Sequence, residues 1–479
     1  MTSRLRRVAL LTVALLAVFT IAAGAAVAHL LPARLALWQI PRVASAPLSA
    51  PRRVLAAASG APPAQGAVTA AGLSARLSAT LALPALGGSV AAVVADAATG
   101  QILFSRNADS GFTPASTAKL ATAVAALHLL GPAARLSTRV VTGSAPSAIV
   151  LVGGGDPTLA AGRPSASDYP QPATLASLAA KTARALRARR HRSVRLGYDT
   201  SLYAGPQLAP SWPSSYVSTG NVSPIVALEV DQGRLTASGA PQDADDPRNF
   251  RPRSLTPAAD AARAFARFLA ARGIRVRGQP GPATAPAGAV TIARVMSPPL
   301  AEMVQWMLIE SNNVIAENLA RQVAIAAGKP ATFRGAAAAV MATDQRLGVR
   351  GIRLVDGSGL SPDDRITPRA LVQLVTLAAR PAEPALRPVL TGLPVAGFAG
   401  TLAPGGSVFG DAGPAARGVV RAKTGNLTGV AALAGVAYAS NGQLLVFAFM
   451  ADQVPRNGLT EGAGDLAALA GELASCGCH

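Results

Sequence analysis

The hydrophobic pattern divides the chain into an apolar leader, an aperiodic stretch, and a long region of alternating strand-like and helix-like segments. Val8 to Ala28 is an unbroken uncharged run preceded by Arg4, Arg6 and Arg7, the signature of an export signal or a membrane anchor within residues 1–40. Twenty-one residues suffice to cross a bilayer core, which needs about 20, while Ala26-Val27-Ala28 resembles a small-x-small cleavage site. Residues 41–75 carry Ser-Ala-Pro and Ala-Pro-Pro clusters without sustained periodicity and are expected to form a linker.

Beyond it, Val90 to Ala95, the turn at Asp96 to Gly100, and Ile102 to Phe104 predict strand, turn and strand. Thr113-Pro114 is expected to open a helix, with Thr as its cap, that runs through Leu120, Val124 and Leu127 and stops at Gly131-Pro132. Residues 143–290 mix short β-like runs, such as Ala148 to Val152 and Val226 to Val230, with loops and two Arg/Ala helices; they predict a large, mainly β, inserted domain. Two helical stretches then flank Ser311-Asn312-Asn313, residues that favour caps over helix interiors. Val419 to Lys423, Val430 to Tyr438 and Leu444 to Met450 are strand-like, with Asn441-Gly442 as a hairpin turn. Opening strands, central helices and closing strands predict an α/β (α+β) fold with one central antiparallel sheet built from both chain ends and flanked by helices. Its domain would be discontinuous, 76–142 and 291–460, with 461–479 left as a C-terminal tail.

Composition narrows the chemistry. The 479 residues include 44 Lys or Arg and 24 Asp or Glu, a formal charge of +20, yet only 4% are aromatic. The core must therefore be assembled from many small and branched side chains. Forty of the cations are Arg, scattered through every segment with no compact block, so nucleic acid is not expected as a partner; a diffuse positive field suits an anionic lipid or wall surface. Cys476 and Cys478 lie at the extreme C-terminus beside His479, too few ligands for a metal and in a stretch expected to be disordered. His29, His128, His191 and His479 are dispersed, which disfavours both a zinc site and a Ser-His-Asp triad, and His128 reads as a core residue of its helix. Gly153-Gly-Gly-Asp156 lacks the Lys-Ser/Thr of a phosphate loop and is expected to be a turn. No cofactor is implied.

Only four lysines occur, and two of them sit in chemically suggestive groups. Ser116 and Lys119, three apart at a helix start, share one face. A neutral Lys can activate a Ser nucleophile if burial and a second cation, for which Lys423 is a candidate, lower its pKa from the free value of about 10.4. Ser116-x-x-Lys119, Ser311-x-Asn313 and Lys423-Thr424-Gly425 in that order form a far more specific signal than any of them alone.

That constellation resembles the penicillin-recognising serine acyl-transferases. The 195-residue gap from Ser116 to Ser311 is similar to that of the low-molecular-mass class C penicillin-binding proteins, the D-alanyl-D-alanine carboxypeptidase/endopeptidase family with its large insertion. Pro114-Ala-Ser-Thr117, Gly153 to Leu159, Ser311 to Leu319, Asp356-Gly-Ser-Gly-Leu-Ser361 and Gly400-Thr-Leu402 extend the likeness over about residues 80–455. The resemblance implies a serine DD-peptidase of peptidoglycan stem peptides, exported to the outer face of the membrane and acylated by β-lactams. It implies Ser116 as nucleophile, Lys119 as base and Ser311 as proton relay. Asn313, Lys423, Thr424, Gly425 and the Asn426 N–H would bind substrate, Gly425 by leaving room for the ligand. A β-lactamase or esterase on the same scaffold, or a non-catalytic wall-binding protein, is the alternative. Asp356-Gly-Ser-Gly reads equally as a cleft border or a tight loop, and Trp212 and Tyr216 as packing or substrate contacts.

Overall fold

The computed structural model describes residues 66–162, 164–165, 168–235, 251–410 and 412–477. The leader at 1–40 and most of the expected linker, 41–65, lie outside the described residues. The end of that linker is folded: Thr69 caps the helix α1 (Ala70–Leu77) by accepting from the Gly72 N–H, and Leu73 and Leu77 are fully buried.

The opening strands β1 (Val90–Asp96) and β2 (Ile102–Arg106) lead into a short 3-10 turn, Ala115–Ala118, and the helix α2 (Lys119–Leu130). Thr113 is not the cap. Pro114 occupies that place without a side-chain bond, and the first turn is tighter than an α-helix. Gly131 ends α2, as the sequence predicts, with its N–H bonded back to the Leu127 carbonyl. His128 lies exposed in the last turn of α2 rather than in the core, where a cation would complement the helix C-terminus.

The chain next forms β3 (Ser137–Thr142), β4 (Ala148–Val152), α3 (Leu175–Ala188), β5 (Ser193–Asp199), α4 (Pro257–Ala270), β6 (Arg275–Val276), β7 (Gly281–Pro282) and β8 (Thr291–Met296). These strands make a six-stranded sheet in the order β6-β5-β4-β3-β8, with β7 on β5. The β4–β5 and β5–β6 pairs are parallel, and α3 and α4 share one apolar core with this sheet. The insertion is therefore α/β rather than mainly β, and it is wider than 143–290 because β3 and β8 belong to its sheet. Val226 to Val230 is buried but does not pair as a strand; its Ala227 and Val230 carbonyls accept from the Gly155 and Gly233 N–H groups of neighbouring loops.

Returning to the first layer, α5 (Leu300–Ile309) and α6 (Asn313–Ala326) flank the Ser-Asn-Asn corner, followed by α7 (Phe333–Arg346), the small β9 (Ile352–Arg353) and β10 (Arg365–Ile366) ladder, and α8 (Pro368–Ala379). The closing strands are β11 (Val420–Leu427), β12 (Val430–Tyr438) and β13 (Leu444–Ala451), ahead of α9 (Leu459–Ala474). Both chain ends meet in one antiparallel sheet, β11-β12-β13-β1-β2. Along β1, Ala91, Val93 and Ala95 face a core shared with α2, α5, α6, α7 and α8, while Val90, Ala92 and Val94 face a second core shared with α1 and α9. Burial on both faces explains why these strands read as continuous apolar runs.

The expected C-terminal tail is mostly structure. Leu466, Leu469 and Leu473 of α9 are fully buried against the sheet, Cys476 is buried as well, and its carbonyl accepts from the Ser440 hydroxyl. Cys478 and His479 lie outside the described residues.

Candidate active site

The site begins with the strained turn that presents Ser116. Ala115 sits in the left-handed region at φ +44°, a costly conformation for a residue with a side chain. It is held by close backbone packing from two sides. A Cβ on Gly359 would lie 1.8 Å from the Ala115 carbonyl oxygen. On the other side a Cβ on Gly425 would lie 2.7 Å from the Pro114 oxygen and 3.0 Å from the Ser116 nitrogen. The absence of a side chain at Gly425 thus lets β11 come close to the Ser116 turn.

Ser116 is partly exposed, and Lys119 one turn later is fully buried. The Lys119 Nζ lies 2.8 Å from the Ser116 Oγ, 2.7 Å from the Asn313 Oδ1 and 2.7 Å from the Ser358 carbonyl oxygen. The Asn313 amide is oriented by its Nδ2, which donates to the Asn221 carbonyl at 2.9 Å, so Oδ1 faces the amine. Burial pushes the Lys119 amine down to about 7, against the opposing pull of Asp356, Glu317 and Asp364. Lys423, pushed first by its own burial and second by repulsion from Lys119, is driven well below the ordinary lysine range. Its Nζ donates to the Thr424 carbonyl at 2.8 Å.

The polar trio divides its labour. Asn312 caps α6, its Oδ1 accepting from the Ile315 N–H, while its Nδ2 donates to the buried Gln232 Oε1 at 2.7 Å. Ser311 occupies the left-handed corner between α5 and α6 at φ +54° and is partly exposed, and its hydroxyl makes no hydrogen bond among the described residues. Thr424 pairs hydroxyl to hydroxyl with Thr401 at 2.6 Å, and Asn426 is exposed on the edge strand β11. The fold therefore gathers Ser116, Lys119, Asn313 and the Lys423-Thr424-Gly425 stretch around one turn. Ser311 stands two residues before Asn313, at the corner between α5 and α6.

Several participants carry no motif letter of their own. Asp356 receives the N–H groups of Ser358 and Gly359 on one carboxylate oxygen, and the Ser361 N–H with the Trp212 indole on the other. This fixes the Ser358 carbonyl against Lys119. Trp212 also packs edge-on to Phe333, with ring centroids 5.1 Å apart. The tight-loop reading of the Asp356-Gly-Ser-Gly stretch holds, since the carboxylate takes the N–H groups of its own turn and the stretch is buried. Glu317 and Asp364 are fully buried close to it, and burial, with repulsion from Asp356 second, raises them to about 8 and about 10. Among the described residues no cluster of His, Cys, Asp or Glu could hold a metal ion.

With this geometry in hand, the chain matches the family "D-Ala-D-Ala carboxypeptidase 3 (S13)" over residues 73–251 and 234–471. It belongs to that family. A carboxypeptidase of Mycolicibacterium smegmatis is 40% identical over 415 residues, 86% of this chain and 85% of the relative. One from Mycobacterium tuberculosis is 40% identical over 444 residues and 90% of each chain, and a D-alanyl-D-alanine carboxypeptidase from Actinomadura is 30% identical over 75% of this chain and 77% of its own. In fold, the crystal structure of penicillin binding protein 4 from Haemophilus influenzae covers 84% of this chain and 98% of its own, with a TM-score of 0.66 at 23% identity. Membership makes the chain a serine-type D-Ala-D-Ala carboxypeptidase, a low-molecular-mass class C penicillin-binding protein.

Proposed function

We propose that this chain cleaves D-Ala-D-Ala in peptidoglycan stem peptides through an acyl-enzyme on Ser116, with Lys119 as the general base. The observation that carries the assignment is the set of three oxygens around one buried amine. Two of them, the Asn313 Oδ1 and the Ser358 carbonyl, can only accept hydrogen bonds. A neutral amine has two N–H groups and one lone pair, so those acceptors take both hydrogens and the lone pair faces the Ser116 hydroxyl. The same burial that keeps Lys119 neutral makes it a base of matched strength near neutral pH.

In the forward step the Ser116 Oγ bonds to the carbonyl carbon of the penultimate D-Ala while its proton passes to the Lys119 Nζ. The Ser116 and Asn426 N–H groups receive the developing oxyanion, an interaction whose loss typically costs about 2.7 to 4 kcal/mol. The C–N bond then breaks, and the terminal D-Ala leaves with a proton delivered through the Ser311 hydroxyl, which is free to turn toward either partner. Thr424, with its hydroxyl set by Thr401, binds the terminal carboxylate, and Lys423 supplies positive potential beneath it, becoming charged as the carboxylate arrives. Water resolves the acyl-enzyme, so the reaction is hydrolysis; a cross-link presented in place of the terminal D-Ala would make it an endopeptidase. A β-lactam enters by the same attack, but its leaving nitrogen stays tethered and blocks the water. The Haemophilus penicillin binding protein 4 has also been crystallised with a β-lactam.

The work is placed in the cell envelope, with residues 8–28 as export signal or tether. Purified protein incubated with a D-Ala-D-Ala peptide should release D-Ala, and a fluorescent penicillin should label it. Ser116→Ala should abolish both while leaving the thermal midpoint unchanged; labelling of the variant at the wild-type rate would reject the assignment.

A further inference from the structure

Five of the arginines that look scattered along the sequence converge in space. Residues 137–296 hold 19 Lys or Arg against 9 Asp or Glu, half of the chain's net charge in a third of its length. Two stretches of this insertion converge on a cleft of about 960 Å³ between the last turns of α4 and the strand edge at β6. Arg263 and Arg267, four apart, lie on one face of α4. Arg275 and Arg277, two apart, point to one side of the edge strand, which pairs in parallel with β5 through Ser193 and Val194. Arg192 and Gln279 complete the cleft's polar lining.

All five arginines are exposed, and among the described residues no Asp or Glu lines the cleft. The nearest carboxylate known to engage them, Asp260, pairs with Arg263 from one turn earlier on α4. Like charges four apart on a helix and two apart on a strand repel, a standing cost to the fold that a solubilising surface would avoid by interspersing acids. A concave wall of one sign concentrates its field, and guanidinium forks match the paired oxygens of phosphate and carboxylate. Among the described residues, none of the large exposed apolar side chains lines the cleft, whereas a surface that inserts into a bilayer presents such side chains.

We propose that this cleft binds a linear polyanion of the cell wall, whose successive phosphate or carboxylate groups lie between the two rows of arginine. That the polymer is of the wall rests on the envelope reading above, whereas the cleft and its charge do not. Bound there, the insertion would hold the enzyme on its substrate layer while Ser116 works on stem peptides.

The test uses the whole exported chain, with polyphosphate and poly-L-glutamate as the phosphate and carboxylate probes, purified wall in a pelleting assay, and vesicles containing anionic lipid as the competing surface. Arg267→Glu/Arg275→Glu should weaken binding to at least one probe and to wall by roughly tenfold or more at low salt. Arg353→Glu/Arg380→Glu, which reverses two exposed arginines of the catalytic part, should leave it nearly unchanged. Both variants should keep wild-type fluorescent-penicillin labelling, so that loss of binding is separable from failure at Ser116. Equal loss in the two variants would reduce the cleft to part of a diffuse field and overturn the proposal. So would wild-type binding by the cleft variant, or loss of vesicle binding alone with polymer binding intact.

Discussion

The decisive residue is Lys119, whose chemistry depends on the groups around it more than on its own place in a motif. Asp356, Glu317 and Asp364 each favour its charged form, while burial opposes them and wins. Asp356 exerts the largest of these pulls, so removing its charge should lower the amine further. Asp356→Asn is expected to move the acid limb of β-lactam acylation to lower pH and, by loosening the loop that carries Ser358, to destabilise the protein by about 1–3 kcal/mol for each buried N–H left unpaired. Stopped-flow acylation across pH and chemical denaturation read the two effects; an acid limb displaced upward would contradict this electrostatic assignment. The sequence made Ser116, Lys119, Asn313 and Lys423 legible because each is written in a spaced motif. It could not reveal the Ser358 carbonyl or Asn221, which act through backbone oxygens that carry no residue signature. Nor could it show which neighbour depresses Lys119, since burial is a property of the assembled fold.

Among elements, the contact of β11 with the Ser116 turn bears most directly on the nucleophile. Gly425→Ala places a methyl against the Pro114 oxygen and the Ser116 nitrogen. The strand has to move away, and the substitution is expected to slow acylation at least tenfold and to cost about 1–3 kcal/mol of stability. An acylation rate within twofold of wild type would show that β11 does not set the nucleophile. Helix α9 makes the complementary point: Leu469 is fully buried, so Leu469→Ala should lower stability by about 2–5 kcal/mol in a denaturant titration, whereas a mere tail would tolerate it. The strands and most helices were readable from their apolar runs and stops. The 3-10 turn at Ala115–Ala118 was not, because its tightness comes from tertiary packing against Gly359 and Gly425 rather than from local propensity. Likewise α9 carries three glycines in Gly462, Gly464 and Gly471, which obscure a helix that packing then enforces.

At the level of the molecule, the insertion is built into the active site instead of hanging from it. Asn221 orients Asn313, Gln232 accepts from Asn312, and Trp212 donates to Asp356. Its loops also bury Trp212, Val222 and Ile225 with Val314, Phe333 and Leu360 of the catalytic part. Trp212→Phe, which keeps the ring against Phe333 and removes the indole donor, should lower acylation severalfold with a small loss of stability, about 1–2 kcal/mol. Unchanged acylation and midpoint would make the tryptophan a filler of space alone. From the sequence the insertion could be located but not classed, because the parallel pairing of β4, β5 and β6 joins segments far apart in the chain.

The central claim is that a buried, neutral Lys119 takes the proton of Ser116, and the pH dependence of the second-order acylation rate with a β-lactam tests it most directly. Below an amine pKa of about 7 the base is occupied by a proton, so the rate should rise tenfold per pH unit and level off above it. A rate that is flat through this range, or that falls as pH rises, would contradict the account.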